Sequence, residues 1–346
     1  MIHMRQTLVF LKFVVATSFL FLGLSASAES PDASSEGRDA QSWLKKMQSA
    51  AQKLSYSGTF VYQQGSQMRT SRITHLLDGK NEIEKLEILD GKPREYIRTN
   101  DEVICYVPEA KTLLVEKRVT HDVFPAILAA NPADISAFYH VRKGESGRVA
   151  GYECQAILLE PKDNMRYGYR LWAEKSTGLL LRAQTLNERR DVIEQIAFTQ
   201  ISIGNVDRSR AKSSFPDTTG WRIENAVMSQ ASPSGWTVRS LPPGFQKVRE
   251  VKRLVSDASS AGSGSSATGT VPANRREVSQ MVFSDGLAAI SVFVEPGSQS
   301  RTEGSIQQGA LNIVGKRQGD FWLTIVGEVP SAAIRQVANS IEFKSK

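Results

Sequence analysis

Hydrophobic and polar positions change their period as the chain is followed from its amino end. Trp43, Leu44, Met47, Ala51 and Leu54 recur at helical spacing, with Lys45, Lys46 and Gln48 between them. That spacing predicts a helix with one apolar stripe, able to lie across a sheet. From Ser57 to about Gly204 the period drops to two. Asp78-Gly79, Asp90-Gly91, Asn100-Asp101, Lys143-Gly144, Gly147 and Gly151 punctuate this region as turn signals. Strands are predicted over 60–62, 83–89, 95–98, 103–107, 113–115, 152–159, 167–172, 179–185 and 192–203. Connections of hairpin length favour antiparallel pairing. One stretch, 121–138, reads as short helices divided by Pro125 and Pro132.

Residues 207–219 form a polar linker carrying Pro216, and the pattern starts afresh beyond it. Strands are predicted near 246–255, 278–283, 288–294, 310–316 and 321–326. A closing helix from Pro330 carries an apolar stripe of Ala333, Ile334, Val337 and Ile341. The Ser/Gly-rich stretch 257–274 cannot bury enough apolar surface to offset its ordering entropy and reads as a flexible loop. The fold class is therefore α+β. A large domain, 39–206, forms a long, open, curved antiparallel barrel capped by helices. A smaller domain, 220–346, forms an antiparallel sheet with a C-terminal helix. Residues 29–38 read as a frayed polar tail.

The first 28 residues carry Arg5, a mostly apolar run from Leu8 to Leu24 and a closing Ala26-Ser27-Ala28. This is the pattern of a removable export signal, cleaved after Ala28. The run is short for a membrane span and contains Lys12. The expectation is a mature protein free in an extracytoplasmic compartment.

The apolar share is 40% and the charged share 23%, ordinary for globular protein. The formal net charge is +7, of which Arg5 and Lys12 belong to the leader. An excess this thin and dispersed suits an acidic partner or anionic lipid and does not argue for nucleic acid. Export also bears on the two cysteines, Cys105 and Cys154. In an oxidising compartment they are candidates for a disulfide, the other reading being two separately buried thiols.

A search for catalytic chemistry returns little. His75, His121 and His140 stand without partners at metal-ligand spacing, and no nucleophile elbow or phosphate-binding loop is present. Glu82, Glu84 and Lys85 read as a solvated strand face. No catalytic residue, metal or cofactor is expected. Two features suit binding instead. Phe60, Tyr62, Tyr106, Tyr169 and Trp172 could line an apolar pocket for an acyl chain or peptide, or simply form core under the helices. Lys247, Arg249, Lys252 and Arg253 could meet an acidic partner or lipid headgroups, or guard an edge strand.

Several segments together resemble the RseB/MucB family of periplasmic regulators of the extracytoplasmic stress sigma factor. They include Ser55-Tyr56-Ser57-Gly58-Thr59-Phe60-Val61-Tyr62, Gly151-Tyr152-Glu153-Cys154-Gln155 and Arg166-Tyr167-Gly168-Tyr169-Arg170-Leu171-Trp172. Leu241-Pro242-Pro243-Gly244-Phe245 and Phe283-Ser284-Asp285-Gly286-Leu287-Ala288 extend the resemblance through the second half. It implies a large domain similar to the lipoprotein carriers LolA and LolB. It implies a partner too, the periplasmic region of an inner-membrane anti-sigma factor of the RseA/MucA type, shielded from site-1 proteolysis. Lipopolysaccharide or lipoprotein acyl chains would release that partner, and a homodimer is open. A plain lipoprotein carrier is the competing reading, and the second domain counts against it.

Overall fold

The computed structural model describes residues 33–79, 81–117, 132–225, 228–230, 235–256, 275–297 and 301–343. The expected leader, residue 121 with its neighbours, and the 257–274 loop lie outside the described residues. Among the described residues no helix is long and apolar enough to cross a membrane.

The first described element is helix α1 (Ala33–Lys53), which takes in residues 33–38 of the stretch expected as a tail. Ala40, Leu44, Met47 and Ala51 repeat every three or four residues and are all buried. A twelve-stranded sheet follows. Its first six strands run β1 (Tyr56–Gln64), β2 (Gln67–Asp78), β3 (Asn81–Ile88), β4 (Arg94–Thr99), β5 (Glu102–Val107) and β6 (Thr112–Lys117). After α2 (Pro132–Phe138) come β7 (Tyr139–Val149), β8 (Tyr152–Pro161), β9 (Gly168–Glu174), β10 (Leu180–Leu186) and β11 (Val192–Ile203). The spatial order is β12-β6-β5-β4-β3-β2-β1-β11-β10-β9-β8-β7, so the sheet is open, with β12 (Arg222–Asn225) and β7 at its edges.

Cross-strand partners share a face, and the register assigns every side chain to one of two. The first face carries Phe60, Tyr62 and His75, and, across the sheet, Ile157, Leu159, Tyr169 and Leu171. Leu44, Met47 and Ala51 of α1 pack on its far end. The second face carries Ser57, Thr74, Lys85, Glu95 and Tyr106.

Two strands escape the sequence pattern. At buried positions β2 carries Ser71, Thr74 and His75 in place of an apolar series. Thr74 Oγ1 pairs with Ser57 Oγ at 2.9 Å, and the His75 ring meets the Leu54 carbonyl and Glu82. Strand β7 contains Gly144 and Gly147, which predict turns yet lie within the strand, Gly144 at a register shift against β8. A Cβ on Gly147 would sit 2.7 Å from Cζ3 of Trp172, so that glycine makes room for a ring.

The expected linker is not a free tether. Residues 208–211 form a single 3-10 turn, and the chain then crosses the second face as a strap. Lys85 Nζ donates to the Lys212 carbonyl at 2.8 Å and to Ser214 Oγ at 3.0 Å. Glu95 accepts from the Ser214 amide at 3.0 Å. Phe215 stacks on Tyr106, centroids 6.1 Å apart, and Trp221 packs on Phe215. Lys85 is thus buried beneath a strap, where a solvated face was expected. The chain next adds β12 in parallel to β6, so the first sheet claims residues past the expected boundary at 219.

The second sheet contains β13 (Met228–Gln230), β15 (Gln246–Ser256), β16 (Arg275–Ser284), β17 (Ala289–Pro296), β18 (Gly304–Gln308), β19 (Leu311–Gln318) and β20 (Phe321–Gly327). Their order is β13-β15-β16-β17-β20-β19-β18. Helix α3 (Ser331–Asn339), with Pro330 at its N-cap, lays Ala333, Ile334 and Val337 on the face carrying Met281, Ile290, Val292, Leu323 and Ile325. Short strands β14 (Trp236–Val238) and β21 (Ile341–Phe343) close the unit as a separate pair.

Candidate functional site

The two sheets meet at a junction built around one side chain. Arg166, just before β9, is wholly buried, although arginine is among the residues least often removed from water. Its Nη1 donates to Asp285 Oδ2 at 2.6 Å, its Nε to Asp163 Oδ1 at 3.0 Å, and its Nη2 to the Pro243 carbonyl. The guanidinium also lies over Phe138 at 4.7 Å and near Phe245. Asp285 belongs to the turn after β16, where its other oxygen accepts the Leu287 and Ala288 amides. A rigid fork from the first domain is therefore held by a carboxylate and a carbonyl of the second.

The Pro242-Pro243-Gly244 turn is shaped for this contact. Gly244 has φ +81°, and a Cβ there would lie 2.3 Å from Phe138 Cζ. Farther along, Asn312 Nδ2 donates to Tyr167 Oη at 3.1 Å and to the Val329 carbonyl at 2.9 Å. At the far end Gln308 Nε2 donates to Gln67 Oε1 at 3.0 Å. Gly309, in the turn between β18 and β19, sits on the Gln64 side chain. Buried Glu194 on β11 accepts from Gln64, and its carboxyl is pushed up to about 7 by burial and by Glu328. The junction mixes these polar pairs with apolar contacts. Met165 packs on the second domain's core and Leu287 on the first domain's, while the buried Tyr139 hydroxyl beside Arg166 has no hydrogen-bond partner among the described residues.

A polar cavity of about 580 Å³ lies between the strap and the second face. Arg72, Lys85, Arg210 and Lys212 line it with Glu87 and several serines. Among the described residues no cluster of His, Cys, Asp and Glu could hold a metal ion.

The sequence-derived candidates are dispersed. Phe60, Tyr62 and Tyr169 share the first face, whereas the register puts Trp172 and Tyr106 on the second. In the packing, Phe60 and Trp172 belong to one buried cluster with Tyr62 against it, and Tyr169 belongs to another. Phe60, Tyr169 and Trp172 are buried core, Tyr62 reaches Glu194, and Tyr106 anchors the strap. Cys105 on β5 and Cys154 on β8 are free thiols, with seven strands between theirs in the sheet, so the expected disulfide is corrected. Burial pushes the Cys154 thiol up to about 11, which suits an inert core residue.

The basic run lies on β15 between β13 and β16; β13 pairs only with Val251, Lys252 and Arg253, so Lys252 and Arg253 lie inside the sheet while Lys247 and Arg249 lie beyond that pairing. Lys247 pairs with Glu250 and Lys252 with Glu277, both at 2.7 Å, which leaves less free charge than the sequence suggests. Arg249 sits opposite Val282 on β16, and the side chain of Arg253 lies outside the described residues. His75 is buried, with Nδ1 facing the Leu54 carbonyl and Nε2 facing Glu82, while His140 is exposed. Sequence reasoning missed Arg166 and Asp285 as a pair. Each stood inside a quoted segment, and nothing in either segment linked it to the other.

Known proteins match the chain along nearly its whole length. Residues 39–219 match the MucB/RseB N-terminal domain and residues 230–342 the MucB/RseB C-terminal domain. The sigma factor AlgU regulatory protein MucB of Pseudomonas aeruginosa is 28% identical over 317 residues, covering 88% of this chain and 92% of its own. The sigma-E factor regulatory protein RseB of Haemophilus influenzae is 26% identical over 337 residues, covering 96% and 98%. Among solved structures, the Pseudomonas aeruginosa MucA/MucB complex aligns with a TM-score of 0.68 at 26% identity, over 89% of this chain and all of that one.

Proposed function

The chain belongs to the MucB/RseB family, and from that premise we propose that it is a periplasmic negative regulator of an envelope-stress sigma factor. It binds the periplasmic region of a membrane-spanning anti-sigma factor and shields that region from site-1 proteolysis. Lipopolysaccharide or mislocalised lipoprotein binds and releases the shield. The observation that carries this reading is the alignment of both domains, as one unit, with MucB solved together with MucA. The relatives are named as regulators of AlgU and sigma-E, which favours a binding role over catalysis.

The junction supports a mechanism by competition. A seam of discrete polar pairs and small apolar contacts resembles a transient interface, for which relative domain motion is the default. A signal molecule then shifts the balance only through its different affinity for the two arrangements.

The test uses the mature protein, the periplasmic segment of the anti-sigma factor and the site-1 protease. Stoichiometric protein should slow cleavage, and lipopolysaccharide fragments should restore it. Cleavage at the same rate with and without the protein would overturn the proposal. Transfer of a lipoprotein to an acceptor without any such protection would favour the carrier reading instead.

A further inference from the structure

The floor of the cavity beneath the strap is set by one extra residue. Phe198 on β11 pairs with Phe60, but Gln200 pairs with Thr59, so Thr199 is a bulge. The bulge reverses the alternation, turning Gln200 and Ser202 to the second face while Phe198 stays in the core. Thr59, Gln200 and Ser202 therefore line the cavity. Among the described residues their side chains hydrogen-bond to no other group.

The walls divide matched charges from unmatched ones. Lys85 lies 3.4 Å from Glu87 and 3.3 Å from Glu95, and Arg72 lies 3.7 Å from Glu87. Those two cations meet two carboxylates. Arg210 and Lys212 line the cavity from the strap, and neither makes an ion pair among the described residues. Asp207 feels the Arg210 charge without pairing with it, and both its oxygens accept from Ser209.

We propose that this cavity binds a phosphorylated sugar or similar polyol, with Arg210 and Lys212 on the phosphate and Thr59, Gln200 and Ser202 on the hydroxyls. A guanidinium fork with an ammonium two residues on suits a doubly charged oxyanion. Hydroxyl and amide side chains both give and accept bonds, as sugar hydroxyls require. Ile201 is the one large apolar side chain in the lining, which holds no aromatic ring, so neither an acyl chain nor a base finds a surface there. The volume of about 580 Å³ lies within the range of small-molecule sites. A bound molecule adds a tie between strap and sheet, beside the Lys85 and Glu95 anchors, and so stabilises the seated strap. The inference rests on the cavity alone and needs neither the anti-sigma partner nor the release step proposed above.

The test uses the full mature chain and no partner. Calorimetry follows glucose 6-phosphate, glucose and inorganic phosphate, and sedimentation follows phosphatidylcholine vesicles carrying phosphatidylinositol 4-phosphate, which presents the same chemistry on a lipid. Glucose 6-phosphate should bind, less tightly as salt is added, and glucose should not. Amide exchange across 207–214 should slow on binding. Arg210→Gln with Lys212→Gln should weaken binding at least about tenfold. Both positions are exposed, and the Lys212 carbonyl held by Lys85 stays in place, so folding is not threatened. Arg189→Gln, at an exposed arginine between β10 and β11, should change nothing. Ser202→Ala should weaken glucose 6-phosphate and leave inorganic phosphate as it was. Binding of the free compound shows that no lipid is needed, and binding to vesicles alone makes the ligand a lipid headgroup. Binding of neither, undiminished binding by the double variant, or equal affinity for inorganic phosphate and glucose 6-phosphate would overturn the proposal.

Discussion

The guanidinium of Arg166 and the carboxylate of Asp285 meet at 2.6 Å with both side chains out of water, one from each domain. A pair this deeply buried contributes little net stability when intact, because desolvation offsets attraction. Removing one partner is different, since it strands the other charge. Arg166→Ala should therefore destabilise the protein by about 3–5 kcal/mol. Chemical denaturation reads this directly. Arg166→Ala with Asp285→Ala together should cost less than the two single changes added.

The strap depends on Lys85 in a similar way. Lys85→Met leaves Glu95 without its cation and the Lys212 carbonyl without its donor. We expect a loss of about 3 kcal/mol. Hydrogen exchange and proteolysis should rise locally across 207–221, with the second domain unaffected.

Gly244 tests the fit at the junction. Alanine there meets the Phe138 ring and must also hold φ near +81°. Gly244→Ala should cost about 1–3 kcal/mol. The measurement is the separation of the two domains' thermal transitions, which should widen as the seam weakens.

Acid stability should report Glu174. Burial raises its carboxyl, but hydrogen bonds from Thr177 and Ser176 outweigh this and hold it at about 2. Its folded value is depressed, so its contribution is present above about 4.5 and fades as pH falls toward 2. Glu174→Gln should be less stable than the parent at pH 7, on the order of 1–2 kcal/mol allowing for solvent screening. The two proteins should converge near pH 2, followed by denaturant midpoints.

Thiol titration distinguishes free cysteines from a bridge. Two thiols should react in the unfolded protein without reductant. In the native protein half-buried Cys105 should react first and Cys154 only on unfolding. A count of zero in denaturant would restore the disulfide.

Much of the fold was legible because most strands bury apolar residues at alternate positions. β17 is of this kind, burying Ile290, Val292 and Val294, and α3 shows the matching helical stripe in Ala333, Ile334 and Val337. What stayed hidden was polar burial. β2 carries Thr74 and His75 inside, and their partners on β1 and β3 are known only once the register is. Gly147 was misleading because a strand glycine that seats a ring looks the same in sequence as a turn glycine. Lys85 resembled surface because the strap that covers it, with the Lys212 and Ser214 acceptors, lies more than a hundred residues away. The junction was illegible for that reason too, since Arg166 and Asp285 are 119 residues apart and acquire a shared role only in the folded chain.

The parallel strand β12 has a mechanical result. Asn225 is fixed in the first sheet and Met228 begins a strand of the second, so just two residues separate the anchored ends. Three steps of trans backbone reach at most about 11 Å. At that corner the second domain can swivel but cannot move away. Any ligand that separates the domains therefore acts on a hinge of fixed position. A seam that opens is always poised to shut again, because its two halves stay at very high mutual concentration.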